Sequence, residues 1–237
     1  MDIIATNVGV LDKSVAILAA LGEDGPLSLA GLVEATGLSR PTAHRLAAAL
    51  EAHRLVGRDA AGRYRLGLRL LGWAGTVSAG FGLVEAARPV LDALRDETGE
   101  SSQLFVRDGD RRLCVAASER PSGLRDTVPV GAILPIDRGS GGKVLLAYAV
   151  DPDAGSLDPG ESETIRRRGW AASVAEREEG VCSVSAPVLD SAGRIHAALG
   201  VSGPVNRLGR SPQKLLAGPV VAAARELERR AGLVSTG

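Results

Sequence analysis

The sequence predicts an α+β protein built as a winged helix-turn-helix over residues 1–67, a linker helix at 68–81 and a C-terminal α+β domain over 82–237. Three observations lead there. Two short helical patterns meet at a glycine turn and run straight into a hairpin pattern. An apolar helical stretch follows. After Gly99, short strand patterns alternate with helical ones, which suits one antiparallel sheet covered by helices. The length of 237 residues is compatible with one large domain or two modest ones at roughly 150 residues each.

The first helix is carried by Leu11, Val15 and Leu18, with Ile17 and Leu21 beside them, and stops at Gly22-Glu23-Asp24-Gly25-Pro26. Ser28 stands at an N-cap position, Leu29, Leu32 and Val33 form a stripe at i, i+3 and i+4, and Gly37 marks the stop of a second helix. Ser39 offers the next N-cap, and Pro41 falls in the first turn, where its missing N–H costs nothing. This third helix runs to about His53. At about 100° per residue, Ala43, Leu46, Ala47 and Leu50 share the inner face. Pro41, Arg45, Ala48 and Ala52 lie opposite, a thin surface suited to a DNA major groove about 12 Å wide. Arg45 is placed to read a base edge or clamp a phosphate, and Ser39, Arg40 and Thr42 to reach phosphate oxygens; Ser28 and Pro41 are counted with them as DNA-binding residues. His44, on the helix edge, is a packing or phosphate contact. Two short strands around Ala60-Ala61-Gly62 form the wing, which brings Arg58, Arg63 and Arg65 toward the sugar-phosphate backbone.

The formal charge is zero, 28 basic against 28 acidic residues, which taken as a sum argues against nucleic acid. Its distribution argues the other way. Residues 1–36 hold one lysine against five carboxylates, and residues 37–67 hold six arginines against two carboxylates, so +4 is concentrated on the third helix and wing.

Hydrophobic residues make up 45% and charged residues 24%, enough for a real core. No apolar run is long enough to span a membrane, and Met1 to Asn7 lacks the basic start and apolar stretch of a secretion signal. The two cysteines, Cys114 and Cys182, form neither a CxxC pair nor a His cluster. A cytoplasmic protein with no metal, no cofactor and no membrane partner is expected.

From Leu68 an apolar helix reaches about Ala79 and a second runs from Leu83 to Leu94, interrupted by glycines at 72, 75, 80 and 82 that weaken the run and suit a bend. Such a seam suits a homodimer spanning two half-sites. Strands are expected at 103–106, 113–116, 127–131, 181–188 and 197–202, and helices after Gly139, from Glu161 to Arg168 and from Ser211 to Arg230, with a loop at 151–160. Arg125 and Asp126 are read as a surface pair, with a carboxylate clamp by Arg125 as the alternative. His196 is read as a turn residue. Catalysis finds little footing. Gly139-Ser140-Gly141-Gly142-Lys143 fails the phosphate-loop pattern at Asp137 and Val144, and Pro204 replaces the last glycine of a G-x-S-x-G elbow.

Gly9 to Lys13, Thr36-Gly37-Leu38-Ser39-Arg40-Pro41-Thr42-Ala43-His44-Arg45-Leu46 and Gly62-Arg63-Tyr64-Arg65-Leu66-Gly67 together resemble the winged helix of the IclR family of bacterial transcription regulators. Val130 to Pro135, Gly139 to Ala147, Arg168 to Ala171, Glu179 to Val181 with Ser185 to Val188, and Val201 to Pro204 resemble that family's GAF-like effector domain. The resemblance implies a double-stranded DNA operator, a homodimer or tetramer, and a small-molecule effector bound by Gly139, Ser140, Gly141, Cys182 and Ser202. It also implies a roomy loop at Gly141 and Gly142. Read from the residues alone, Ser140 is equally a helix N-cap, Cys182 a buried small hydrophobe and Ser202 a backbone hydrogen-bonder. Cys114 to Ala117 and Gly123 to Gly131, with the 166–170 and 176–178 stretches, resemble an actinobacterial subgroup associated with leucine biosynthesis and amino-acid metabolism. The rival reading is a metabolite sensor or enzyme with no operator binding.

Overall fold

The computed structural model describes residues 6, 8–80, 82–149 and 157–234; most of the loop expected at 151–160 lies outside the described residues. The chain forms two units, Met1–Gly80 and Phe81–Gly237.

The first unit contains α1 (Gly9–Glu23), α2 (Leu29–Thr36), α3 (Arg40–Ala52), β1 (Val56–Arg58), β2 (Tyr64–Leu66) and α4 (Arg69–Gly80). Ser28 caps α2 by accepting the Gly31 N–H, and Gly37 takes the left-handed conformation that ends it. The chain therefore turns in three residues, and α3 buries its inner face, Ala43, Leu46, Ala47 and Leu50, the last three packing into a core with Ile17, Leu21 and Leu32. The Ser39 hydroxyl makes no capping bond; it donates to the Thr42 hydroxyl at 2.9 Å, so the expected cap is a side-chain pair instead. β1 and β2 pair antiparallel, and Leu27 exchanges both backbone hydrogen bonds with Tyr64 at 2.9 and 2.8 Å. That bridge stitches the hairpin to the segment leading into α2. Tyr64 and Val56, both buried, complete the core.

The second unit runs α5 (Gly82–Thr98), β3 (Ser101–Asp108), β4 (Arg111–Ser118), β5 (Ile133–Pro135), α6 (Ser140–Ala147), α7 (Pro159–Arg168), β6 (Ala171–Val174), β7 (Val181–Leu189), β8 (Ile195–Pro204), α8 (Val205–Leu208) and α9 (Gln213–Arg230). The strands form one antiparallel sheet in the order β5-β4-β3-β8-β7-β6. Leu91 and Leu94 of α5 and Leu216, Val220 and Leu227 of α9 pack on one face, against Leu104, Val184 and Leu199. Val144 and Leu145 of α6 and Ile165 of α7 pack with Phe105, Cys114 and Ala198 on the other. The α+β class is as the sequence predicts, with two corrections. Thr127 to Gly131 is not a strand; the third pairing on that edge is made by Ile133–Pro135 on β4. β6, too short to show a period in the sequence, forms the opposite edge. An irregularity in the β3–β4 register between Leu104 and Phe105 turns Ala116 toward α5 and Cys114 toward α6.

Polar bonds fix the sheet's ends. Arg207 pairs with the buried Glu100 at 2.6 and 2.7 Å and also donates to the Leu124 carbonyl. His196 is in β8, not in the turn; its Nε2 lies 3.2 Å from Asp190, which also accepts the Ala192 and Arg194 N–H groups of the β7–β8 turn.

Leu32 is fully buried at the centre of the first unit. Leu32→Ala is expected to cost about 3 kcal/mol through lost burial and a cavity, seen in urea as an earlier unfolding transition of that unit with the second unit's transition unmoved. Both thiols are buried, and burial pushes Cys114 up to about 12 and Cys182 up to about 11. A raised pKa leaves little thiolate at pH 8, so iodoacetamide is expected to leave both unmodified in the folded chain and to alkylate both in guanidinium.

Candidate DNA-binding face and ligand cavity

The outer side of α3 is exposed as its period requires: Arg40, Pro41, His44, Arg45 and Ala48 face solvent, with Thr42 half-buried at the flank. The side chains of Arg40 and Arg45 make no hydrogen bond or ion pair with another described residue. They stand among the small or short side chains of Pro41, Thr42, Ala48 and Ala49, with His44 the one other long group, so little shields them from an incoming phosphate or base. The N-terminal residues Ser39, Arg40 and Thr42 gather where the first-turn N–H groups of a helix lack intrahelical acceptors.

The wing arginines are held differently. The Arg58 guanidinium pairs with Glu51 at 3.1 Å, stacks 4.2 Å from the centre of the Tyr64 ring and donates to its hydroxyl at 2.9 Å. Hydrogen bonding to Glu51 raises its pKa. Arg63 pairs with Asp59 at 2.8 Å, and the Asp59 carboxylate is held below its usual range by the Arg63 and Ala61 N–H groups. Among the described residues Arg65 reaches the Arg58 and Leu66 backbone carbonyls, at 3.4 and 3.5 Å. The hairpin thus uses two of its arginines to hold its own shape, a role the sequence reading did not assign. Ser28, with its oxygen committed to the α2 cap, sits with the fold and not with the α3 cluster.

A cavity opens between the start of α6 and the sheet, lined by Gln103 and Phe105 of β3, Arg112 of β4, Asp126, Arg177, the 139–141 turn, Ser183 and Ser185 of β7 and Ser202 of β8. About 30 Å³ is free within it, room for one or two waters. Of the five expected effector residues, Gly139, Ser140, Gly141 and Ser202 line this space together. Cys182 does not. Its side chain lies in the core under α5 and α9, with its Sγ 3.6 Å from the Gly203 carbonyl, because successive strand residues face opposite sides. Ser183, one residue on, faces the cavity.

The Ser140 hydroxyl donates to Ser183 at 2.7 Å and lies 2.8 Å from the Ser185 hydroxyl, so it joins α6 to β7 and makes no cap. Ser202 donates to Gln103 Oε1 at 3.1 Å. Gly139 adopts a left-handed φ of 81° and its N–H donates to Glu176 at 3.1 Å. Lys143 pairs with Glu176 at 2.6 Å and Glu161 at 3.0 Å; burial works against its charge, the two carboxylates outweigh it, and its pKa is raised. The loop is not roomy. A Cβ on Gly142 would overlap the Ile136 carbonyl oxygen, and one on Gly141 would press on Phe105 at 3.2 Å.

Three charged groups of the cavity escaped the sequence reading. Asp126 is buried and pairs not with Arg125 but with Arg177, at 2.6 and 2.7 Å; Arg125, exposed, pairs with Glu119 at 3.1 Å and takes no part in the cavity. Arg112 is 3% exposed and lies 5.0 Å over the Phe105 ring. Its Nη1 donates to the Arg138 carbonyl at 2.9 Å, while its Nε is buried without a partner among the described residues. Burial, and then the nearby Arg177, pull its pKa down to about 10, so it remains charged at neutral pH. The signal that pointed here was the alternation on β7, which puts Val181, Ser183 and Ser185 on one face.

Among the described residues no helix is long and apolar enough to cross a membrane. Residues 10–60 match the IclR helix-turn-helix domain, and residues 76–157 and 160–229 match the C-terminal domain of bacterial IclR transcriptional regulators. The glycerol operon regulatory protein of Streptomyces coelicolor is 33% identical over 95% of each chain. The fold is shared with an IclR transcriptional regulator from Alicyclobacillus acidocaldarius, at a TM-score of 0.77 and 20% identity over 96% of this chain and all of that one. It is shared too with an IclR homologue of Microbacterium hydrocarbonoxydans, at 0.73 and 22% over 93% of this chain and 99% of that one. The two matched domains cover both units, and they are parts of a regulator and not of an enzyme: the chain belongs to the IclR family of bacterial transcription regulators.

Proposed function

We propose that this transcription regulator acts in the cytoplasm as a homodimer that places two α3 helices on the half-sites of a double-stranded operator, and that a small molecule in the C-terminal cavity alters that binding. The observation that carries the DNA side is the pair Arg40 and Arg45, exposed, with side chains free of partners among the described residues and set among Pro41, His44, Ala48 and Ala49. Arg45 reads a base edge or clamps a phosphate; Ser39, Arg40, Thr42 and His44 reach phosphates at the helix start; Arg65 and the ion-paired Arg58 and Arg63 brace the hairpin against the backbone. Val10, Leu11 and Val15 on α1 and Leu68, Leu71 and Trp73 at α4 expose apolar surface in the first unit, the material of a subunit seam. Four such chains pairing as dimers of dimers would give the tetramer.

Ligand control is supported by the cavity, which gathers Gly139, Ser140, Gly141 and Ser202 with buried charge. The Microbacterium neighbour was crystallised in complex with 4-hydroxybenzoate. The Streptomyces relatives are glycerol operon regulators, so the leucine-pathway assignment rests on the subgroup resemblance alone and the proposal attaches to the ligand site, not to a pathway.

A genomic fragment selected by the protein, titrated by fluorescence anisotropy, tests the DNA side. Affinity is expected to fall steeply between low and physiological salt, with a logarithmic slope near −0.9 per phosphate contact. Arg45→Ala is expected to weaken specific binding about tenfold or more, and Arg40→Ala to shallow the salt slope by about 1. A sensor or enzyme without an operator would show no salt-dependent retention of DNA at all.

A further inference from the structure

We propose that the second unit carries another ligand site, a cleft between the end of α7, the end of β7 and α9, and that it takes an organic phosphate monoester whose phosphate is held by Arg166, Arg167, Arg168 and Arg225. The cleft shares no lining residue with the cavity under α6, so its binding stands or falls independently of any effector there. The chain's own topology makes the recess. β6 ends opposite Ser185, while β7 runs on to Leu189. The cleft opens beside that overhang, where Pro187 has no N–H to offer a further strand.

The first support is space and charge together. About 500 Å³ is open in the cleft, a size that small-ligand sites use. Four guanidiniums line it, against the carboxylates of Asp190 and Glu228. Both carboxylates are already engaged. Asp190 accepts the Ala192 and Arg194 N–H groups at 2.9 and 3.0 Å and the Arg194 guanidinium at 2.8 Å, and Glu228 accepts the Leu189 N–H at 2.8 Å. The arginines keep most of their donors. Arg166 and Arg168 commit Nε to the Ala147 and Trp170 carbonyls and leave their Nη groups without partners among the described residues. The side chains of Arg167 and Arg225, both exposed, make no hydrogen bond or ion pair with another described residue. The carbonyl end of α7 favours cations in its last turn, which accounts for arginines at 166–168. It does not account for Arg225, which α9 brings from the opposite face of the sheet. Cations converging on one recess repel each other until an anion sits between them.

The second support is the match to a phosphate ester. Four guanidiniums against two carboxylates leave two positive charges. A phosphate monoester carries about −1.5 to −2 at neutral pH, whereas a carboxylate would meet half of that excess. Guanidinium forks bind phosphate oxygens in pairs, and the Arg168 guanidinium, 3.9 Å over the Trp170 ring, is fixed in its plane without consuming donors. The remaining wall suits an organic body: Tyr148, Pro187, Leu189 and Val221 border the same space. Duplex DNA, in contrast, presents phosphates at intervals along an extended surface and would gain little from arginines that surround one recess.

The test is calorimetric titration of the full chain with AMP, UMP and glucose 6-phosphate. Adenosine, uridine and glucose, which lack the phosphate, and inorganic phosphate, which lacks the organic body, are the controls. At least one monoester is expected to bind saturably, its unphosphorylated counterpart and inorganic phosphate each about tenfold or more weakly. Replacing Arg167→Ala and Arg225→Ala together is expected to lower affinity for that monoester about tenfold or more. Arg210→Ala, which removes an exposed arginine outside the cleft, is expected to change nothing, and thermal melts check that the variants fold. Retention of DNA by the double variant, read by fluorescence anisotropy, is expected to equal that of the wild type. The proposal is overturned if none of the three monoesters binds, if the unphosphorylated counterpart or inorganic phosphate binds as tightly, or if the double variant keeps the wild-type affinity. It is overturned as well if the double variant loses DNA affinity, for the arginines would then serve the duplex. Should the double variant not fold, the wild-type comparison of each monoester with its unphosphorylated counterpart decides.

Discussion

How near α6 can come to the sheet decides what the C-terminal unit is able to do. Gly142 has no side chain because the Ile136 carbonyl occupies the place where one would be. That approach lets the Ser140 hydroxyl reach across to Ser183 and Ser185, and it lays Gly139 and Gly141 over the Arg112 guanidinium and the Phe105 ring. With any larger residue at 142 the helix start would lift, water would reach Arg112, and the cavity would become an open groove in which a buried charge has no special affinity for anything. Lys143, tied to Glu176 and Glu161, holds the same helix turn from its outer side. Close packing thus creates the low-dielectric setting in which one unmatched cation is costly to keep.

The first unit meets the opposite demand, since its functional surface has to stay wet and uncommitted. Its fold is secured by the inward stripe of α3 and by the Leu27–Tyr64 bridge, which leaves Arg40 and Arg45 with no structural duty. The wing is a small two-stranded element, and such hairpins are marginal alone. Arg58 on Glu51 and Tyr64, and Arg63 on Asp59, supply what the strands lack. Much of the formal positive charge of this segment is therefore answered locally. On the outer side of α3 Arg40 and Arg45 stay unpaired among the described residues, and a protein that answers part of its positive charge internally gains less from indiscriminate phosphate attraction than its segment charge suggests.

Most of the first unit was legible in the sequence because its signals are local. Ser28, Gly37 and Pro41 mark helix ends by their own backbone chemistry, and the 3.6-residue period separates Leu46 from Arg45 without reference to anything distant. The failures lie where partners are far apart or where one residue of phase matters. Glu51 and Arg58 belong to different elements, so no helical spacing announces their pairing. Cys182 and Ser183 differ by one position on β7, and that single step puts one in the core and the other in the cavity. Asp126 looked like a partner for its neighbour Arg125, yet side chains adjacent in an extended loop diverge, and Asp126 found Arg177 across the cavity. Arg112 carried no sequence signal of burial; an arginine in a strand reads as solvent-facing until the loop and helix that cover it are placed.

The contrast between Arg112 and Arg177 gives the cavity its logic. Both guanidiniums line the same space, and a carboxylate shared evenly between them would leave neither strongly in need of an anion. Instead Asp126 binds Arg177 through both oxygens, and the deficit is concentrated on Arg112. The cost of an unpaired buried cation therefore falls on Arg112 alone, and it is the close approach of α6, with the Phe105 ring and the Arg138 carbonyl as its neighbours, that both imposes this cost and partly offsets it.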